Sequence, residues 1–185
     1  FSAINSWIGE EVRSLGAEGG PSFRIDEAQL RLFGAITRGN DPNGTLLAWR
    51  GFALHDRVSG FGDHLPLPPL KSFDRPGLFP EQPPHVQPMR EVDGKWTWSA
   101  GLALTHPEYR IKALYQPPTA NPGAFDGEQY AWRTGYWAMG AARSFGPIEI
   151  LAQGLDGETR MGVTADGRNA VVASFQAGYL MASWT

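Results

Sequence analysis

The residues best suited to chemistry in this chain are four histidines, a few neighbouring carboxylates and a set of arginines. His55, His64, His85 and His106 lack the one-turn spacing with which two imidazoles grip zinc from a helix. Scattered loop histidines more often serve as polar surface. Asn40-Asp41-Pro42-Asn43-Gly44 offers oxygen ligands of the kind calcium takes. Pro42, and the missing Glu at the end of a twelve-residue loop, favour a plain turn instead. Glu10-Glu11 would pair as catalytic carboxylates only if both pointed one way, and neighbours in a strand point apart. No nucleophile elbow, phosphate loop or dinucleotide fingerprint occurs. We therefore expect no enzyme, no cofactor and no metal.

What remains is charge carried on polar faces. Arg31, Arg110 and Lys112 fall on the polar parity of their segments, opposed by Glu149, and Arg143 joins them on a strand whose parity reads either way. The segment after residue 44 adds Arg50, His55, Asp56 and Arg57. Such groups facing one another across a narrow aqueous pore would set an ion preference. The competing reading makes them interfacial arginines or structural ion pairs. Which holds depends on the elements that carry them.

Period-two alternation dominates those elements. In Lys95–Thr105, Trp96, Trp98, Ala100, Leu102 and Leu104 share one face, and Thr97, Ser99, Gly101, Ala103 and Thr105 the other. This pattern predicts a strand with one apolar face. Tyr109, Ile111, Ala113 and Tyr115 repeat it against Arg110, Lys112, Leu114 and Gln116, and only His106-Pro107 lies between, as in a hairpin. Trp132–Phe145, Ile148–Gly154, Val171–Ser183 and Ala28–Thr37 fit the same template. Glu11–Glu18 reads as a weaker strand before a Gly19-Gly20-Pro21 turn.

Bulk properties agree with a β-rich envelope protein. The 185 residues are 42% hydrophobic and 12% aromatic, with no Cys and a formal net charge of −3. That charge gives no reason to expect nucleic acid as a partner. No run of eighteen apolar residues suggests a membrane helix. A mean hydropathy of −0.31 suits barrel strands, which alternate. Tyr and Trp gather near strand ends, as in the aromatic girdles of membrane barrels. Connections alternate too: short at His106-Pro107 and Gly146-Pro147, long at 117–129 and 157–169.

On that alternation, residues 38–94 form one long outer loop. Within it Thr45–Asp56 cannot be one added wall strand without reversing the parity, so it should fold into the lumen as a short helix or hairpin. The alternative makes it a true strand, with Gly19–Pro21 outside. Eight of the fifteen prolines lie from Pro66 to Pro88, which disfavours both helix and ladder. The chain starts at Phe1 and stops at Trp184-Thr185 within an alternating run, and we read it as an internal fragment.

Trp7-Ile8-Gly9-Glu10-Glu11-Val12-Arg13-Ser14-Leu15-Gly16, Asn40-Asp41, Gly44–Gly51, Ala53–Asp56, Leu67-Pro68-Pro69-Leu70, Ala152-Gln153 and Gly157–Gly162 resemble segments of porin-like proteins of alphaproteobacteria, notably sphingomonads, in the same order. The general plan is similar to phosphate-type porins, though members of the family are longer. The resemblance implies an outer-membrane barrel and transfers neither a substrate nor catalytic residues.

The expectation is thus an all-β chain: a single segment, 1–185, of an antiparallel transmembrane barrel meander, with one long inserted loop. It would sit in the bacterial outer membrane among its lipids and pass small solutes with a weak anion bias. Assembly into a homo-oligomer is compatible with this. The alternative from another class is a soluble secreted β-sandwich that binds or cleaves polysaccharide, with Trp as sugar platforms.

Overall fold

A computed structural model describes every residue except 1, 55, 56, 75, 78, 80, 81 and 185. The expected alternation becomes one large antiparallel sheet. Its strands are β1 (Leu15–Gly19), β2 (Ser22–Ile25), β3 (Ala28–Arg38), β6 (Thr97–Thr105), β7 (Tyr109–Gln116), β8 (Arg133–Phe145), β9 (Ile148–Val163) and β10 (Asn169–Trp184). Two further strands, β4 (Leu65–Pro66) and β5 (His85–Val86), pair only with each other. The sheet runs β1-β3-β6-β7-β8-β9-β10, with β2 also on β3. Neighbours in space are neighbours in sequence, apart from the insertion between β3 and β6. The all-β antiparallel meander is therefore present, and among the described residues the sheet does not close on itself.

The first hairpin differs from expectation. Gly19-Gly20-Pro21 is not a turn. β1 and β2 are two halves of one edge strand in unbroken register on β3, from Leu15↔Arg38 to Ile25↔Ala28. Pro21 has no N–H to give, which an edge strand tolerates, and its carbonyl still accepts from the Leu32 N–H at 3.0 Å. At Gly20 a Cβ would lie 2.0 Å from the Leu32 carbonyl oxygen, so the backbones approach too closely for any side chain. The chain reverses instead at Asp26-Glu27, where Asp26 takes φ +52°, a value suited to a two-residue hairpin. This turn lies at the same end as His106-Pro107, because Gln29 pairs with Thr105. β3 and β6 therefore run antiparallel between turns at one end of the sheet, although the first turn is displaced.

A second difference concerns 157–169. β9 and β10 pair from Trp184↔Ile148 up to Asn169↔Val163, leaving only 164–168 as a connection. Residues 157–163 continue the strand because their alternate side chains are buried. Thr159 is 0% and Met161 1% exposed.

What buries them is helical. α1 (Ala3–Glu10) starts at Ser2, whose hydroxyl accepts from the Asn5 N–H at 3.1 Å. α2 (Thr45–Arg50) occupies the segment expected either in the lumen or in the wall, and it belongs to no strand. Helices of eight and six residues are marginal alone; packing orders them. Ile4 and Trp7 of α1 and Leu47 of α2 join Tyr136, Leu155 and Phe175 of the sheet in one core. Leu46, on the next position of α2, packs with Leu65, Leu67 and Val86 of the insertion. α2 is thus held between the sheet and the insertion. Gly44, before it, sits where a Cβ would be 2.3 Å from the Thr159 hydroxyl and 2.4 Å from that of Thr134.

Candidate functional site: the two faces of the sheet

Cross-strand register sorts the charged side chains. One face, called the helix face because α1 and α2 cover part of it, carries Arg31, Phe33, Ala103, Arg110, Lys112, Gly140 and Glu149. Arg31 pairs with Ala103, Ala103 with Lys112 and Lys112 with Gly140. Arg110 reaches across β8 to Glu149 of β9 at 2.8 Å. Ala142 of β8, opposite Arg110, is small enough to leave that path open. Arg31 pairs with Glu18 at 2.7 Å. The guanidinium of Arg31 and the ammonium of Lys112 approach the Phe33 ring at 5.7 and 5.4 Å. Gly101, between them on β6, makes room for that ring, since a Cβ would lie 2.4 Å from it. Exposed pairs of this kind contribute about 0–1 kcal/mol each, so these charges stabilise little and remain accessible to solvent.

The other expected residues are placed differently. Arg143 belongs to the opposite face: its partner is Tyr109, and its guanidinium lies 4.7 Å from the Phe145 ring. Arg50 is not presented to solvent as a free cation. Its two terminal nitrogens donate to both oxygens of Glu10, at 3.0 and 2.6 Å, and the Glu10 side chain is 3% exposed. A buried carboxylate demands a partner, and Arg50 is that partner. Arg57 is exposed. His55 and Asp56 lie outside the described residues.

Sequence reasoning weighed Glu11 only as one of two adjacent carboxylates and as the start of a weak strand. It is fully buried, with the Trp7 indole N–H donating to one oxygen at 2.6 Å and the Leu46 N–H to the other at 2.7 Å. Burial pushes its carboxyl up to about 7, against the opposing effect of those hydrogen bonds. Glu10 and Glu11 therefore diverge, one to Arg50 and one to Trp7 and α2, as helix-end neighbours rather than strand neighbours. No local pattern marks Glu11, because its burial depends on two helices meeting over the sheet. The His64 and His85 rings stack at 4.6 Å, and His106 lies on Tyr109 at 4.5 Å. Among the described residues the one group with metal-ligand proximity is Asp41, Glu91 and Asp93.

The opposite face is open. Trp96, Trp98, Leu102, Ile111, Trp137, Met139, Ile148, Ile150, Leu180 and Trp184 are all exposed there, and no second sheet among the described residues packs on them. Trp98, Tyr115 and Trp137 form a row of contacting rings, with centroids 5.9 and 4.4 Å apart. Phe145 and Trp184 lie at the turn end. Trp137 and Phe145 stand about 27 Å apart along β8.

Comparison of the chain with protein-family models, with curated proteins and with solved structures finds no match at any of the three.

Proposed function

We propose that this chain is part of the wall of an outer-membrane β-barrel of the porin kind, which passes small solutes by passive diffusion. The open face meets lipid, and the helix face lines water narrowed by α1 and α2. The observation that carries this reading is the open face itself. It is a continuous exposed apolar surface, edged by aromatic side chains, on a sheet whose other face holds charge. Apolar side chains in this number are costly to leave in water, whereas a barrel places them in hydrocarbon and keeps polar groups inside.

The helix face carries Arg24, Arg31, Arg110 and Lys112 against Glu18 and Glu149. This basic excess supports a weak anion preference. Because Arg31 and Arg110 are paired, the preference rests most on Lys112 and Arg24, and Arg50, neutralised by Glu10, contributes little. Planar-bilayer conductance of the complete protein under a salt gradient tests both parts. We expect an anion-shifted reversal potential that Lys112→Glu moves toward cations and that high salt weakens by screening. Absence of any conductance from detergent-extracted, folded protein would remove the pore, and a reversal potential indifferent to Lys112→Glu would remove its assigned role.

A further inference from the structure

We propose that Asp41, Glu91 and Asp93, together with Asn40 and Asn43, bind a calcium-like divalent cation that ties together the two ends of the insertion between β3 and β6. The site stands independently of the pore reading.

The acids come from both ends of the insertion: Asp41 just after β3, Glu91 and Asp93 just before β6. One oxygen from each lies within 4.8 Å of the others. Calcium takes oxygen ligands at about 2.3–2.6 Å, so ligands on opposite sides of the ion stand roughly 4.6–5.2 Å apart. The three oxygens therefore fit one coordination shell as they are. Asp41 is fixed beforehand, since the Val92 and Asp93 N–H groups donate to its Oδ2 at 2.5 and 2.8 Å.

Unpaired oxygens supply the independent support. Asn40 Oδ1, Asn43 Oδ1 and Glu91 Oε1 are shut off from solvent and accept no hydrogen bond. Asn43 is 3% exposed. Asn40, Asp41 and Asn43 line one cavity of about 20 Å³, Asp41 being the one of the three acids on its wall, large enough for a single ion or water. All three unpaired atoms are acceptors. A buried acceptor left bare is costly, and one cation can satisfy several at once.

The positive groups nearby do not replace it. Arg38 Nε donates to Glu91 Oε2 at 3.3 Å and leaves Oε1 bare. Lys95 also lines the cavity, and its backbone N–H donates to Asp93 Oδ1 at 2.8 Å. All-oxygen ligands, including amide carbonyls on irregular backbone, suit calcium better than zinc or rigidly octahedral magnesium. Judged alone, the Asn40–Gly44 run reads as a plain turn because it lacks a closing Glu. The structure supplies the missing acids from residues 91 and 93.

The test uses the purified full chain and terbium(III) as a calcium stand-in. Terbium luminescence is excited through Trp132, whose backbone N–H donates to the Asp41 carbonyl at 2.6 Å. We expect a saturable signal at one ion per chain, displaced by calcium, and a melting temperature that calcium raises and EDTA lowers. Glu91→Gln and Asp93→Asn should each weaken terbium binding by about tenfold or more, while melting like wild type in EDTA. A water in the cavity would give no saturable signal and overturns the proposal. So does a saturable signal that both variants leave unchanged, which would place terbium on surface acids elsewhere.

Discussion

β9 and β10 obey opposite rules at their two ends. Near the turn end, Ile148 and Ile150 point to the open face, and Glu149 and Gln153 to the helix face. Near the other end the same strands put Asp156, Glu158, Arg160, Ser174 and Gln176 on the open face, and Leu155, Met161 and Phe175 under the helices. The inversion falls at the level of Trp137, which pairs with Asp156. One half exposes apolar side chains on the open face. The other behaves like a strand of a water-soluble protein, with its apolar row packed on Trp7 and its polar row hydrated. On the proposed reading, a single strand passes from lipid to water at the ring row of Trp98, Tyr115 and Trp137.

The comparison can be broken first at the packed end. The Trp7 ring is 2% exposed and contacts Tyr136 and Phe175 at centroid distances of 5.3 Å each. Trp7→Ala should cost about 3–5 kcal/mol, read as a lowered denaturation midpoint and as faster proteolysis of the insertion.

Glu11 gives that end a pH dependence. Its folded carboxyl titrates at about 7 instead of 4.5, so the protonated form is favoured in the folded state. Its contribution is complete below pH 4.5 and is lost as pH rises through 7. The loss amounts to roughly 3 kcal/mol at about 1.4 kcal/mol per pH unit. Glu11→Gln should flatten this slope between pH 4.5 and 7.5, and an unchanged slope would assign it to other groups.

The open face sharpens the contrast with smaller effects. Leu102→Arg, in the apolar band, should lower folding stability in bilayers by about 2–4 kcal/mol. Ser174→Arg, on the same face beyond the ring row, should stay within about 0.5 kcal/mol of wild type. Equal costs would deny the change of medium. Smallest of all, Arg110→Ala should remove no more than about 1 kcal/mol, measured by the same unfolding curves.

The alternation made the strands of the turn-end half legible, together with the facing of Trp98, Leu102, Ile111, Tyr115, Ile148 and Ile150. It misled on β10. There Val171, Ala173, Phe175, Ala177, Tyr179 and Met181 alternate as one more apolar row, yet the row takes the helix face on both sides of the ring row, Phe175 opposite Gly157 and Met181 opposite Leu151. α1 was not legible, because eight residues acquire helical order from the Trp7 contacts and not from their own pattern. Gly19-Gly20-Pro21 carries turn residues yet lies within an edge strand, where the same glycine freedom and missing N–H serve close strand approach. Arg31, Arg110, Lys112 and Glu149 were placed together from parity alone. Arg50 and Arg143 were not, since a buried ion pair and an ambiguous strand phase lie outside what parity can tell.

The central claim is that the two faces of this sheet meet different media. The chain contains no Cys, so single cysteines report without background. Leu102 and Ala103 are adjacent on β6 and point to opposite faces. Leu102→Cys and Ala103→Cys, each labelled with an environment-sensitive fluorophore and inserted into vesicles as the complete protein, should respond oppositely to quenchers. We expect a label at 102 to be quenched by spin-labelled lipid and spared by aqueous iodide, and a label at 103 to show the reverse. Equal quenching of both labels by iodide, with no lipid quenching at 102, would contradict the account.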